Sequence, residues 1–255
     1  DVYFKKIYDF IQLLSNKNSP LIVKTSGSTG IPKELHFTMN QAFESAKLSN
    51  AFFNIDNSSI LLLPMNIDFV GAKMLIIRAF VAKAKIWIVA PTANVFENVP
   101  SYVLFDFIAL TPYQLLSTLE KTPLSFLQVR KCLIGGSTIS NELFRKIEDL
   151  SSDCKFYESF GMSETLSHIA IKTLGSNEDV FRVIDGYHIE VYSEGQLSIQ
   201  CPFMDNKVIS NDIIELFDDK SFQFLGRKDF VINSGGIKIL PELLENSLQE
   251  IFHFP

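Results

Sequence analysis

Residues Thr25-Ser26-Gly27-Ser28-Thr29-Gly30-Ile31-Pro32-Lys33 follow the apolar run Leu21-Ile22-Val23 with two glycines, four hydroxyls and a lysine. Glycine lets backbone N–H groups come close to an anion, Ser and Thr add short donors, and Lys33 adds a mobile positive charge. The chemistry that suits such a loop is phosphate binding. Spacing excludes the nucleotide P-loop, which needs four residues between its glycines and then Gly-Lys-Ser/Thr. Here two residues separate Gly27 from Gly30, and Pro32 precedes Lys33. Taken alone, the loop also reads as a solvated Ser/Gly turn.

Further stretches extend the pattern in a fixed order: Gly135-Gly136-Ser137, Phe160-Gly161-Met162-Ser163-Glu164-Thr165, Ser210-Asn211-Asp212, Gly226-Arg227-Lys228-Asp229, and Ser234-Gly235-Gly236-Ile237-Lys238 through Glu242. With the loop, they resemble the adenylate-forming superfamily of acyl- and aryl-CoA ligases, firefly luciferases and peptide-synthetase adenylation domains. The matches run from Thr25 to about residue 245.

The resemblance implies a role for each stretch. Thr25, Ser26, Gly27, Ser28, Thr29, Gly30 and Lys33 would clamp the phosphates of ATP. Phe160 would stack on adenine, as a flat ring suits a purine face. Ser163 would meet the α-phosphate, and Glu164 would hold Mg²⁺, for which a carboxylate is a fitting hard ligand. Gly136 and Ser137 would lie along adenine and the acyl pocket. Asp212 and Arg227 would grip the ribose, the carboxylate accepting from its hydroxyls. Asp229 would be the pivot of a C-terminal lid, and Gly235, Gly236 and Lys238 would face the tunnel for coenzyme A. Two positions depart from the common pattern. Asn211 stands where the family usually has Gly, and Glu34 follows the loop Lys where Gly is usual.

A narrower resemblance is to compact o-succinylbenzoate–CoA ligases of menaquinone biosynthesis. It rests on Leu63–Met74 with Arg78, on residues 161–170, on Asn211-Asp212-Ile213, on Asn233–Lys238 and on Glu34. Their substrate is an aromatic dicarboxylate, which needs an apolar slot with a cationic or polar end. Arg78 and His168 are candidates for that end, with Lys73 a third. Each has a competing reading: Arg78 can snorkel along its helix, and His168 can be a satisfied core residue. The implied reaction has two steps, acyl-adenylate formation from ATP and transfer to CoA. The alternatives are an aryl-acid adenylating enzyme that serves a carrier protein, and an ATP- or acyl-binding module without turnover. The family's lid also carries a Lys near its C-terminus, beyond the point reached at Pro255. The expectation is therefore a chain that binds ATP and aryl acid but adenylates slowly.

An α/β layered fold must position these groups. The pattern predicts a helix over 3–14, a strand Leu21–Lys24, and a helix from Met39 to Phe53 capped by Thr38. It continues with a strand Ile60–Leu63, a helix Val70–Lys83 and a strand Lys85–Ala90. Strands Phe105–Leu110 and Val129–Ile134 flank a helix after Pro112. Ser140 caps a helix to about Leu150, and Lys155–Phe160 is a further strand. After about 168 come short strands: Ile169–Thr173, His188–Tyr192, Gln196–Gln200, Ile213–Phe217 and Phe222–Leu225. A helix opens at Pro241. The expected organisation is a core over 1–227, α/β to about 168 and β-rich over 169–227, with hinge and lid beginning at 228–255.

Composition narrows the partners. The 255 residues suffice for one large domain or two smaller ones. Phe is frequent, at 23 residues, which points to large buried or ligand-facing aromatic surfaces. A net charge of −6 with mixed signs argues against a nucleic-acid binder held by phosphate contacts. Cys132, Cys154 and Cys201 are odd in number and lack metal-type spacing, so reduced thiols and a cytoplasmic setting are expected. The most apolar stretch, 74–90, is broken by Arg78, Lys83 and Lys85, so no membrane span is expected. No signal peptide is read at the start. The expected partners are an aromatic carboxylate, ATP and CoA, with a homodimer left open.

Overall fold

The computed structural model describes residues 2–25, 33–176, 179–235 and 237–252. A helix, α1 (Val2–Leu13), precedes a hairpin of β1 (Pro20–Thr25) and β2 (Lys33–Thr38). Next come α2 (Met39–Phe53), β3 (Ile60–Leu63), α3 (Val70–Ala82), β4 (Lys85–Ile88), β5 (Phe107–Leu110), α4 (Pro112–Lys121), β6 (Lys131–Ile134), α5 (Asn141–Glu148) and β7 (Lys155–Gly161). The strands β8 (His168–Thr173), β9 (Phe181–Val183), β10 (His188–Val191), β11 (Gln196–Gln200), β12 (Val208–Asp218) and β13 (Ser221–Arg227) follow without an intervening α-helix among the described residues. A hairpin of β14 (Ile232–Ser234) and β15 (Ile237–Ile239) leads into α6 (Pro241–Phe252).

The helix starts follow from local chemistry. Thr38 and Thr111 each form a reciprocal cap with the Gln three residues on, and Ser140 accepts from the Leu143 N–H. These caps satisfy N–H groups that a helix leaves unpaired at its first turn.

One sheet of 11 strands, ordered β10-β11-β12-β13-β9-β8-β7-β6-β5-β3-β4, organises the described chain. Strands β4, β3, β5, β6 and β7 are parallel. From β7 to β8 the pairing turns antiparallel and remains so to β10. The central strands β3, β5 and β6 are buried on both faces and read as short apolar runs, whereas the edge strand β4 is partly exposed. Along β3, Leu61 and Leu63 enter one core while Leu62 enters the other. Along β5, Phe107 and Ala109 oppose Ile108 and Leu110 in the same way. The chain leaves β3 in one direction to form β4, then crosses back to β5 on the other side. Ligands of open α/β sheets bind beyond the carboxyl ends of strands at such a reversal. Gly135-Gly136 follows β6 there, and the Phe160–Glu164 stretch ends β7.

Several elements exceed the expectation, among them the β14–β15 hairpin, which stands where only a charged break and a Gly-Gly pair were expected. β2 was expected as loop, although Leu35 and Phe37 alternate with exposed neighbours, a period-two signal. β12 begins at Val208 rather than Ile213, so Ser210-Asn211-Asp212 lies within a strand. Pairing with β11 and β13 outweighs the turn preference of Asn and Asp. β9 is three residues long, too short to show a period.

Candidate nucleotide and acid site

The register of β1 with β2 pairs Thr25 with Lys33 and Lys24 with Glu34. The pairing of Thr25 with Lys33 closes the base of the hairpin. Ser26, Gly27, Ser28, Thr29 and Gly30 lie outside the described residues. Lys33 is exposed at this base, and Glu34 reaches Lys24 across the strands at 3.4 Å. β1 also packs against the short turn Ser163–Thr165 that follows β7.

That turn is shaped by close backbone approach. A Cβ on Gly161 falls 2.5 Å from both the His168 Cα and the Ser167 carbonyl oxygen, so no side chain fits there. Buried Thr165 closes the turn, its hydroxyl donating to the carbonyls of Met162 at 3.0 Å and Ser167 at 2.8 Å. Ser163 is half-buried, and the Glu164 carboxylate stands exposed. Across the strand ends, Gly136 has φ +99° and open space around it, and Ser137 is exposed. Phe160 is half-buried, with the rings of Phe181, Phe222 and Phe224 at 5.3, 5.1 and 5.9 Å behind it.

On β12, Asp212 is 8% exposed. The Arg227 Nη1 lies 3.3 Å from its carboxylate, and Nη2 lies 3.1 Å from Asp229. Burial raises the Asp212 carboxyl above the usual carboxylate range. Arg227 and the Ser210 hydroxyl oppose this, while the negative charges of Glu164 and Asp229 add to it. Glu164, from the β7 turn, thus shares an electrostatic neighbourhood with Asp212 and Arg227. Among the described residues no three His, Cys, Asp or Glu side chains converge as a metal cage. A Mg²⁺ carried in by nucleotide phosphates needs only one or two protein carboxylates, and exposed Glu164 fits that role.

The two acid-end candidates meet in the interior. Arg78, 2% exposed on α3, does not snorkel. Its Nη2 donates to the Ser167 hydroxyl and lies 3.4 Å from His168 Nδ1. An arginine nitrogen only donates, so Nδ1 accepts and the neutral ring carries its proton on Nε2. That N–H donates to Ser49 at 3.0 Å. Burial, and then the Arg78 charge, hold His168 well below its ordinary pKa. Burial brings Arg78 down to about 10. Its Nε has no partner, and among the described residues no carboxylate reaches it. Lys73 donates to the Ile22 carbonyl at 2.9 Å, which ties α3 to β1 and places it apart from this cluster.

Asp229 accepts from Asn211 Nδ2 at 3.1 and 3.2 Å. Gly235 has φ +58°, the left-handed conformation that favours glycine. Lys238 pairs with Asn233 across the β14–β15 hairpin, and Gly236 lies outside the described residues. Sequence reasoning assigned no role to Ser49, Ser167 or Glu242, although Ser167 and Glu242 fall within the stretches that carry the resemblance. Glu242 accepts from the Arg227 backbone N–H at 3.0 Å. Nothing in the local pattern marks Ser49, whose partner His168 lies 119 residues away, or the contact of Ser167 with Arg78, 89 residues away.

Comparison with known proteins bears on this arrangement. A model of the family described as AMP-binding enzyme matches residues 14–196. The acyl-CoA synthetase (AMP-forming)/AMP-acid ligase II-like protein from Dyadobacter fermentans is 31% identical, with a TM-score of 0.82 over 98% of this chain and 72% of that one. O-succinylbenzoate coenzyme A synthetase (MenE) from Bacillus subtilis, in complex with ATP and magnesium ion, is 19% identical with a TM-score of 0.75 over 91% and 55%. The same enzyme in complex with the acyl-adenylate intermediate OSB-AMP is 19% identical with a TM-score of 0.77 over 92% and 55%. At that identity the likeness is one of fold, and this chain spans about half the length of those MenE chains. No curated protein matches. With the family model spanning most of the chain and a 31% identical relative superposing over nearly all of it, the chain belongs to the AMP-binding enzyme family.

Proposed function

We propose that the protein is an ATP-dependent acid–CoA ligase that activates an aromatic dicarboxylate, o-succinylbenzoate, in menaquinone biosynthesis. The observation that carries the reading is the Asp212–Arg227–Asp229 chain with the Glu164 carboxylate beside it, next to the closed base of the Ser/Gly loop. The choice of acid is supported by the buried Arg78 guanidinium, whose Nε has no partner and which no described carboxylate neutralises, and by the fold likeness to MenE. The proposed setting is the cytoplasm, in keeping with the three free cysteines.

In the first step an oxygen of the substrate carboxylate attacks the α-phosphorus of ATP. The new O–P bond forms as the bond to the β-phosphate oxygen breaks, and pyrophosphate leaves. An anion approaches a polyanion, so catalysis is positioning and charge neutralisation. Lys33 and the loop draw on the β- and γ-phosphates, Ser163 orients the α-phosphate, and Asp212 with Arg227 fixes the ribose. Glu164 would hold a Mg²⁺, which would supply charge neutralisation on the phosphates. Phe160 sets the plane of the adenine. Arg78 anchors the far carboxylate, with His168 orienting its guanidinium. In the second step the CoA thiolate attacks the acyl carbon, and the bond to AMP breaks. A turn about Asp229 brings the segment with Gly235, Gly236 and Lys238 to the thiol's path.

The test is AMP formation by the full-length protein from a panel of carboxylic acids, with and without CoA. The reading expects o-succinylbenzoate to give AMP and a CoA thioester. Turnover of another acid with o-succinylbenzoate inert overturns the choice of acid. Transfer to a pantetheinyl carrier protein with CoA inert overturns the second step.

A further inference from the structure

Asn211, which departs from the family's usual Gly, makes a contact that Gly cannot. Its Nδ2 lies within hydrogen-bond distance of both Asp229 oxygens. The orientation of the amide is set by its other end. Asn211 Oδ1 faces Gln196 Nε2 at 3.4 Å, and the same Nε2 donates to the Ser210 carbonyl at 2.9 Å. Gln196 is 7% exposed, and its Oε1 accepts from Lys228 Nζ at 3.0 Å. Lys228 in turn pairs with Glu194 at 2.7 Å. The donors run one way through the network, from Lys228 to Gln196, Gln196 to Asn211 and Asn211 to Asp229. Flipping either amide sets donor against donor.

The network joins the two residues at the start of the hinge, Lys228 and Asp229, to strands β11 and β12 of the core sheet. A second contact crosses the same point. Glu242 of α6, beyond the hinge, accepts from the Arg227 N–H and presses one oxygen to 2.6 Å from where a Gly226 Cβ stands.

We propose that Asn211 is a positioning residue for the hinge: its amide, oriented by Gln196, holds Asp229 in the setting seen here and so sets how readily the lid turns between the two half-reactions. The inference rests on the reading of Asp229 as the lid pivot. A larger share of molecules in one setting favours the half-reaction done there and slows passage to the other.

Two readouts test it, and the first does not depend on turnover. Trypsin cleaves after Arg227 and Lys228, both tied down by the ion pairs described. In the full-length protein without ligands, Asn211→Asp sets carboxylate against carboxylate and is expected to raise cleavage at these sites about tenfold, with Asn211→Gly raising it about fivefold. Combining Asn211→Asp with Asp229→Asn restores a donor and an acceptor in exchanged places, and cleavage is expected to return to within about threefold of the parent. Equal cleavage in the parent and both single variants, or failure of the exchanged pair to restore protection, overturns the proposal. Far-UV circular dichroism and a melting curve identify a variant that has unfolded, in which case Asn211→Ser, too short to reach Asp229, takes its place.

The second readout is the ratio of ATP–pyrophosphate exchange to thioester formation. Asn211→Gly is expected to shift it about fivefold while the KM for ATP stays within about twofold. An unchanged ratio, or a change confined to the KM for ATP, overturns the proposal. If the parent turns over no acid at all, it is the functional reading that fails, and the proteolysis result decides the latch on its own.

Discussion

The Arg227 guanidinium stands 3.3 Å from the Asp212 carboxylate on the neighbouring strand, yet burial still raises that carboxyl above its usual range. The folded chain thus holds a proton on Asp212 at pH values where the unfolded chain has lost it. Stability from this group falls as pH rises through that window. Asp212→Asn is expected to hold or raise the melting temperature by a few degrees at neutral pH while weakening ATP binding by about ten- to a hundredfold, the scale of a hydrogen bond to a charged group. Thermal melts beside calorimetric titration with ATP separate the two effects. A lower melting temperature with unchanged affinity contradicts the assignment.

His168 gives a pH effect of opposite sense. Its ring is neutral in the fold and protonates with an ordinary pKa once unfolded. Stability is full above about pH 6.5 and falls by about 1.4 kcal/mol per pH unit below it for this one proton. Urea unfolding between pH 5 and 8 in the parent and in His168→Gln should show that slope only in the parent. Parallel pH profiles rule out a buried neutral ring.

Arg78 is a buried charge without a carboxylate partner, so its removal need not destabilise the fold. Arg78→Met is expected to fold with a melting temperature at or above the parent's, as uncompensated buried charges often allow. The KM for o-succinylbenzoate should rise about ten- to a hundredfold, with the KM for ATP within about twofold. Equal KM for the acid removes Arg78 from the acid site.

Glu164 is exposed and sustains no core contact, so Glu164→Gln should melt like the parent. Magnesium-dependent AMP formation is expected to fall by about a hundredfold or more, the scale of losing several kcal/mol of charge stabilisation. Stopped-flow or coupled AMP assays across a magnesium titration provide the measurement. Near-parent activity at saturating magnesium places the ion elsewhere.

Strands β3, β5 and β6 were readable because they are short apolar runs, and Thr38, Thr111 and Ser140 mark the starts of α2, α4 and α5. The candidate site residues were nominated by stretches whose order along the chain carries the resemblance. Their assembly was not readable. Ser210-Asn211-Asp212 reads locally as a turn, and only pairing to β11 and β13 makes it a strand with Asp212 inward and Asn211 outward. The cluster of Ser49, Arg78, Ser167 and His168 joins positions up to 119 residues apart. No local period encodes such a meeting, because hydrogen bonds across the core depend on how α2 and α3 lie on the sheet. Arg78 reads as a helix charge able to snorkel, and burial against β8 overrides that.

The backbone contact between Gly161 and His168 has a consequence for redesign. The turn that carries Glu164 and the backbone that carries the His168 ring lie so close that no Cβ fits between them at Gly161. Altering β8 to admit a differently shaped acid also shifts the floor beneath Gly161, so new substrate preference and retained turnover pull against each other. Libraries confined to α3 around Arg78 avoid that conflict, whereas those that reach His168 need a paired search over residues 161–164.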